Sequence, residues 1–273
     1  MLRSRAWPVV AVGLIALVLA LALRAGIPPA GPAPGDRPIV RVLFIGNSLT
    51  AGNDLPAMVA AISRASPDGP VIEGHALVAG GASLSDQWPR ARQRIAEGTW
   101  TWVVLQQGPS ALPESREALL ADARRYARAI REAGGKPAFY MVWPSKQRSG
   151  DFPRVVESYR LAAESVEGRI LPAGEAWQAA LRRDADLPLY GPDDFHASPQ
   201  GTWLAALVIY AGLAERSPLE APPPSAIDDE AVRRVRLTDE AARLLAESAA
   251  EVSRAGTTRP AAGANGRGAD PGS

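Results

Sequence analysis

The sequence predicts an α/β fold in which one parallel sheet of about five strands is covered by helices on both faces. Three observations point to it. Short apolar or β-branched runs alternate with longer segments whose apolar residues recur at helical spacing. The 273 residues are 47% hydrophobic and 22% charged, enough for one sizeable core once the ends are set aside. Small polar stretches containing glycine or proline follow the apolar runs, and in a parallel sheet such loops at the carboxyl ends of the strands carry the ligand chemistry.

Taken in order, the strands are expected at Val40–Ile45, Val71–Val78, Trp102–Gln106, Ala138–Val142 and Arg169–Leu171, each short and rich in β-branched or aromatic residues. Helices are expected at Leu55–Ser66, Ser83–Glu97, Glu114–Ala133 and Asp151–Val166. Ser198-Pro199 reads as an N-cap followed by proline at the first helical position, opening an apolar helix that runs through Leu213.

The ends are of different character. Arg3 and Arg5 precede an apolar run from Trp7 to Leu23 that stops at Arg24, with no acidic residue before Asp36. As a helix this run spans about 25 Å, longer than most signal-peptide cores and slightly short of a ~30 Å hydrocarbon layer. It is an export signal or an anchor. Leu23-Arg24-Ala25 and Pro28-Pro29-Ala30 both fit a signal-peptidase site poorly, which favours an uncleaved anchor in residues 1–25. The flanking arginines would stay in the cytoplasm and the body would face outward. Residues 26–37 (GIPPAGPAPGDR) suit an extended tether, residues 38–254 form the folded domain, and residues 255–273, rich in Gly, Ala, Pro and Thr, are expected to be disordered.

Composition removes several function classes. Thirty basic against 29 acidic residues leave a formal charge of +1, and no basic stripe is interleaved with aromatics, so nucleic acid is not the expected partner. The absence of cysteine excludes disulfides, thiolate metal sites and a cysteine nucleophile.

Four loop stretches then fall on one sheet edge: Gly46-Asn47-Ser48-Leu49-Thr50, Gly80-Gly81-Ala82-Ser83, Gln106-Gln107-Gly108-Pro109-Ser110, and Gly191-Pro192-Asp193-Asp194-Phe195-His196. A serine nucleophile needs a base, a group that orients the base, and donors for the developing oxyanion. The chain has only two histidines, and His75 lies within a strand, so His196, on a loop just before a helix, is the candidate base for Ser48. Asp193, three residues earlier, can fold back to hold one ring nitrogen while the other faces the serine, and is preferred over Asp194.

In their order, "GNSLT", "GGAS" and "DDFH" resemble the SGNH hydrolase superfamily, also called GDSL esterases, over Val40 to Leu213. The resemblance implies a three-layer, flavodoxin-like α/β/α sandwich with the nucleophile in the turn after the first strand. Oxyanion donors would follow the second and third strands, with a D-x-x-H near the end, matched here by Asp193-x-x-His196. Two blocks depart from the family pattern. Asn47 stands where the family usually has Asp and is read as a turn-stabilising residue beside the substrate. The third block has Gln106-Gln107-Gly108 in place of G-x-N-D, similar to the Q-G-E-S block of carbohydrate acetylesterases, with Gln107 in the donor role and Gln106 in reserve. "GGASLSDQW" is also similar to that branch.

The oxyanion hole would accordingly comprise the backbone N–H of Ser48, that of Gly81 or Gly80, and the Gln107 amide. Most of the tryptophans read as packing, but Trp143, in a Met141–Ser145 cleft wall, and Trp88 are expected at the substrate edge. The resulting expectation is a serine esterase acting on O-acetyl or other short acyl groups of carbohydrate through an acyl-enzyme, with no metal or cofactor. The alternatives are a lipase or lysophospholipase, against which stands the lack of an apolar lid loop, and a catalytically silent extracytoplasmic binding module.

Overall fold

The computed structural model describes residues 37–257, with side chains through Ser253. Five strands, β1 (Ile39–Gly46), β2 (Val71–Val78), β3 (Trp102–Leu105), β4 (Lys136–Tyr140) and β5 (Arg169–Leu171), form one sheet in the order β2-β1-β3-β4-β5. All neighbours are parallel, and pairing of Gly46 with Val78, Ile45 with Leu105, and Leu105 with Phe139 brings the carboxyl ends to one edge. Residues Val42–Ile45 and Val103–Leu105 are buried, as expected of central strands covered on both sides.

The chain moves one way from β1 to β2 and the other way through β3, β4 and β5. Right-handed crossovers therefore place α2 (Leu55–Ala65) on one face, and α3 (Leu84–Glu97), α4 (Pro113–Glu132) and α5 (Phe152–Glu164) on the other. Helices α3, α4 and α5 pack side by side, while α2 packs on α7 (Pro199–Ala214), which also meets α6 (Ala173–Arg183) and α8 (Asp239–Thr257). The sequence Pro199–Ala214 is apolar nearly all round because the helix is buried nearly all round. A short helix α1 (Ser48–Ala51) leads straight out of β1. The reversal of strand order lies between β1 and β3, so the loops after these two strands diverge and leave a crevice at that edge.

Some boundaries differ from expectation. Strand β4 begins at Lys136, whose N–H bonds to Thr101, and ends at Tyr140 rather than Val142. Met141 still donates to Leu171, but its carbonyl accepts from Gly174, so the chain is drawn off the ladder there. Helix α6 is unanticipated because Pro172 and Gly174 interrupt its pattern; the glycine is required, since a Cβ would lie 2.2 Å from the Val142 carbonyl. Helix α8 is also unanticipated, although all but its last three residues fall within the folded body read from sequence. It runs to Thr257 and so takes in Ala255, Gly256 and Thr257 from the stretch expected to be disordered. The rest of that stretch, the apolar run and most of the tether lie outside the described residues, among which no helix is long and apolar enough to cross a membrane.

Candidate active site

Ser48 stands directly behind β1. From Val42 to Thr50 every residue is buried except Ser48 itself, so the turn sinks its backbone and raises one hydroxyl. Asn47 caps α1, its Oδ1 accepting the Leu49 N–H at 3.1 Å, in the ordinary manner of an Asn before a helix. The Gln106 amide holds the same turn from β3. Its Oε1 accepts from Asn47 N at 2.9 Å and from Thr50 Oγ1 at 2.7 Å, and its Nε2 donates to Asn47 Oδ1 at 3.0 Å and to the Gln107 carbonyl. Gly46 has no alternative, because a Cβ would lie 2.3 Å from Thr50 Oγ1 and 2.4 Å from Gln106 Oε1.

The candidate base, His196, arrives from the loop before α7. His196 Nε2 lies 2.8 Å from Ser48 Oγ, and its Nδ1 lies 2.5 Å from Asp193 Oδ2. The other oxygen of Asp193 accepts the backbone N–H groups of Phe195 and His196 at 3.1 and 2.9 Å. The hydrogen bond from the His196 side chain, followed by these two backbone bonds, pulls the Asp193 carboxyl down to about 2. An ionised carboxylate only accepts, so Nδ1 carries the proton. In the neutral ring Nε2 then has its lone pair toward Ser48, whose hydroxyl donates. Asp194 turns away at φ +57 and accepts from Gln147 Nε2 at 2.9 Å. His75 lies mid-strand on β2, edge-on to Trp100, and forms no bond to Ser48.

The glycine turn after β2 is tied to the nucleophile turn on both sides. Ala79 N donates to the Gly46 carbonyl at 3.2 Å, and Asn47 Nδ2 to the Ala82 carbonyl at 3.3 Å. Between them Gly80 and Gly81 are exposed, Gly81 at φ +68, a conformation that suits glycine. The N–H groups of Ser48, Gly80 and Gly81 have no acceptor among the described residues. They are open donors beside the serine, the arrangement an oxyanion requires.

Three expected contacts are corrected. Asn47 is 7% exposed, its Oδ1 accepting from Leu49 and Gln106 and its Nδ2 donating to Ala82, so it builds the turn. Trp143 is fully buried, stacked on Trp177 with centroids 3.5 Å apart; its Nε1 donates to the Phe195 carbonyl at 3.0 Å, so it supports the His196 loop from below. Trp88 lies between α3 and α4, edge-on to Tyr126 and under Arg125, and is engaged there in helix packing.

Gln107 is also committed elsewhere. Its Nε2 donates to Ser110 Oγ at 3.2 Å and to the Ser115 carbonyl at 3.3 Å, leaving no free amide hydrogen. Its backbone N–H and carbonyl both bond the Tyr159 hydroxyl, which burial keeps neutral by raising its pKa. Gln107 therefore shapes the loop after β3. The residues that sequence reasoning passed over are Thr50, Gln87, whose Nε2 donates to the Gly46 carbonyl at 3.0 Å, and Asn53, whose amide reaches Ala197 and Thr202. Their partners lie far off in sequence; Thr50 and Gln87 fall within the family-like blocks, whereas nothing local marks Asn53.

No family model matches the chain, and comparison with curated proteins gives no match. Solved structures do match. A candidate SGNH hydrolase from Slackia heliotrinireducens is 26% identical, covering 64% of this chain and 98% of its own, with a TM-score of 0.55. A DUF4886 family protein from Bacteroides uniformis is 18% identical over 78% of this chain and 94% of its own, with a TM-score of 0.62. A catalytic mutant of an acetylxylan esterase from Geobacillus stearothermophilus is 13% identical over 63% and 91%, with a TM-score of 0.50. The last two share the fold. The first adds sequence likeness along nearly its whole length to the blocks already read here in order, and this chain belongs to the SGNH hydrolase superfamily as a serine hydrolase.

Proposed function

We propose that the protein hydrolyses short-acyl carboxylic esters, O-acetyl groups on carbohydrate foremost, through an acyl-enzyme on Ser48. The observation that carries this is the continuous line from Ser48 Oγ to His196 Nε2, 2.8 Å, and from His196 Nδ1 to Asp193 Oδ2, 2.5 Å. Ser48 Oγ attacks the ester carbonyl carbon while its proton passes to Nε2. The oxyanion takes the N–H groups of Ser48 and of Gly81 or Gly80. Collapse of the tetrahedral intermediate breaks the bond to the alcohol, which leaves with the proton from Nε2. Water then gives its proton to Nε2 and attacks the acyl carbon, the acid departs, and Ser48 recovers its hydrogen.

The short acyl group is supported by the character of the edge. The His196 and Asp193 side chains are 42% and 52% exposed, so the reacting pair lies at the surface and not at the foot of an apolar cleft. Among described residues the large apolar side chains standing well out of the surface are Ile39, Leu112, Leu161 and Leu219, and of these only Leu112 belongs to a loop at this edge. A long acyl chain would have little to bind. Carbohydrate as the alcohol is supported by the Q-G-E-S-like and G-G-x-S-x-x-x-W-like blocks and by the shared fold with an acetylxylan esterase. A p-nitrophenyl ester series from acetate to palmitate, run beside acetate release from an acetylated polysaccharide, tests the reading. Preference for acetyl with acetate release is expected. Preference for long chains would establish a lipase, and no turnover of any ester a silent module.

The placement of this site outside the cytoplasm, held by residues 1–25, belongs to the same proposal and rests on Arg3, Arg5 and the apolar run behind them. Fractionation finding the intact chain in the cytoplasm would remove it, and an exported soluble form beginning near Ala25 to Gly31 would remove the anchor alone.

A further inference from the structure

Ser48 and His196 come from segments 148 residues apart, and something must fix the distance between them. Between residues 47–54 and 189–202 the described side chains make three hydrogen bonds. One is the Ser48–His196 contact itself. The other two both come from Nδ2 of Asn53, which donates to the Ala197 carbonyl at 3.0 Å and to Thr202 Oγ1 at 2.8 Å.

We infer that Asn53 is a positioning residue for the reaction: its amide clamps the nucleophile segment to the base segment and so sets the Ser48–His196 distance. Ala197 is the residue after His196 and is bridged to Tyr190, at the foot of the loop that carries Asp193 and His196. Thr202, 3% exposed in the first turn of α7, donates to the Ser198 carbonyl at 3.0 Å and accepts from Asn53. Both amide hydrogens of Asn53 are thus spent on the two stretches that flank the base.

The backbone supports the same reading. Asn53 has φ 51 and ψ 22, and Asp54 has φ 53 and ψ 55, two successive left-handed residues that are not glycine. Asn tolerates this region better than most residues, yet the conformation persists only where surrounding contacts impose it. Asp54 caps α2 by accepting from Ala57 N at 3.4 Å. What holds Asn53 is the pair of bonds to the histidine side.

The inference rests on the assignment of Ser48 as nucleophile, and the test separates the two. Asn53→Gly keeps a residue at home in the left-handed region while removing the amide; Asn53→Asp keeps the size, removes both donors and turns a carboxylate toward the Ala197 carbonyl. Each is compared with the wild-type chain for kcat and KM on p-nitrophenyl acetate, for thermal unfolding, and for the rate at which a fluorophosphonate probe phosphonylates Ser48. The clamp predicts kcat lower by roughly 10–100-fold with KM nearly unchanged, as expected for a misplaced reacting pair. The labelling rate should fall by the same factor while unfolding shifts little in Asn53→Gly. A purely structural residue would lower the unfolding temperature and leave kcat and labelling per folded molecule intact, and that result in both variants overturns the inference. Ser48→Ala is the control. If it retains esterase activity the proposed function fails; if it is inactive while both Asn53 variants turn over and label like wild type, only the clamp fails.

Discussion

Around Ser48 the chain is locked from the interior, whereas around His196 it is a surface loop propped from below. Gln106, 1% exposed, joins Asn47, Thr50 and the Gln107 carbonyl, so the nucleophile turn has almost no polar group left to water. The Asp193–His196 pair instead stands in solvent, shaped by Asp193's own bonds to the next residues and supported by Trp143 beneath Phe195. The difference follows from the parts. A nucleophile rising from a central strand inherits the rigidity of the sheet. A base arriving on a loop must be oriented by a partner of its own, and that is the physical reason for an aspartate three residues away.

If both halves serve one reaction, removing either should cost about as much as removing both. Ser48→Ala and His196→Ala are each expected to lower kcat by roughly 10⁴–10⁶-fold with the fold intact, and the double variant should be little worse. Steady-state kinetics on p-nitrophenyl acetate checks this. Additive losses would mean that the two residues act separately.

Asp193 should cost less, because it orients and does not react. Asp193→Asn is expected to lower kcat by about 10²–10⁴-fold. The pH dependence sharpens the contrast between the halves. The carboxyl is held at about 2 against an ordinary 3.8, mainly by the His196 side chain, so it remains ionised throughout pH 4–8 and adds no limb to the activity profile there. A folded-state value below the unfolded one gives stability that is complete above 3.8 and fades as pH falls toward about 2. The unfolding-temperature gap between wild type and Asp193→Asn should therefore narrow from pH 4 downward. A gap that stays constant would show that the carboxylate is not held as described.

On the interior side the larger consequence should be for stability. Gln106→Ala strands the Asn47 N–H and the Thr50 hydroxyl, and a buried group left without its partner costs about 1–3 kcal/mol. Denaturant unfolding should register that loss, together with a fall in kcat smaller than for Asp193→Asn. Unchanged stability would make the lock around Ser48 dispensable and remove half of the comparison.

The legible parts of this site were those written in consecutive residues. Gly46-Asn47-Ser48, Gly80-Gly81 and Asp193-x-x-His196 are local turn chemistry, and alternation of apolar runs carried the sheet to within a few residues of its true boundaries. What stayed hidden depends on partners far along the chain. Gln106 reaches residues 56 and 59 positions away, and nothing in "QQG" says which glutamine turns to Asn47 and Thr50 and which to Ser110. The sequence puts Trp143 at the right edge and the wrong depth, because only the fold shows that the Leu189–Ser198 loop returns over it. Asn53 looks like any loop asparagine until Ala197 and Thr202 are brought to it.

The smallest effect expected is at His75, the chain's other histidine, and it matters because two histidines offer two bases. His75 pairs in register with Leu43 in the middle of β2, on the outside edge of the sheet, well short of the carboxyl ends where Ser48 stands. Its ring, half-buried, meets the buried Trp100 edge-on at 5.1 Å, a contact of about 0.5–1.5 kcal/mol. His75→Ala should consequently leave kcat and KM on p-nitrophenyl acetate within about twofold of wild type, and soften unfolding by no more than the Trp100 contact. Loss of turnover here, with His196→Ala still active, would transfer the base to β2 and dissolve the distinction between a locked nucleophile and a loop-borne base.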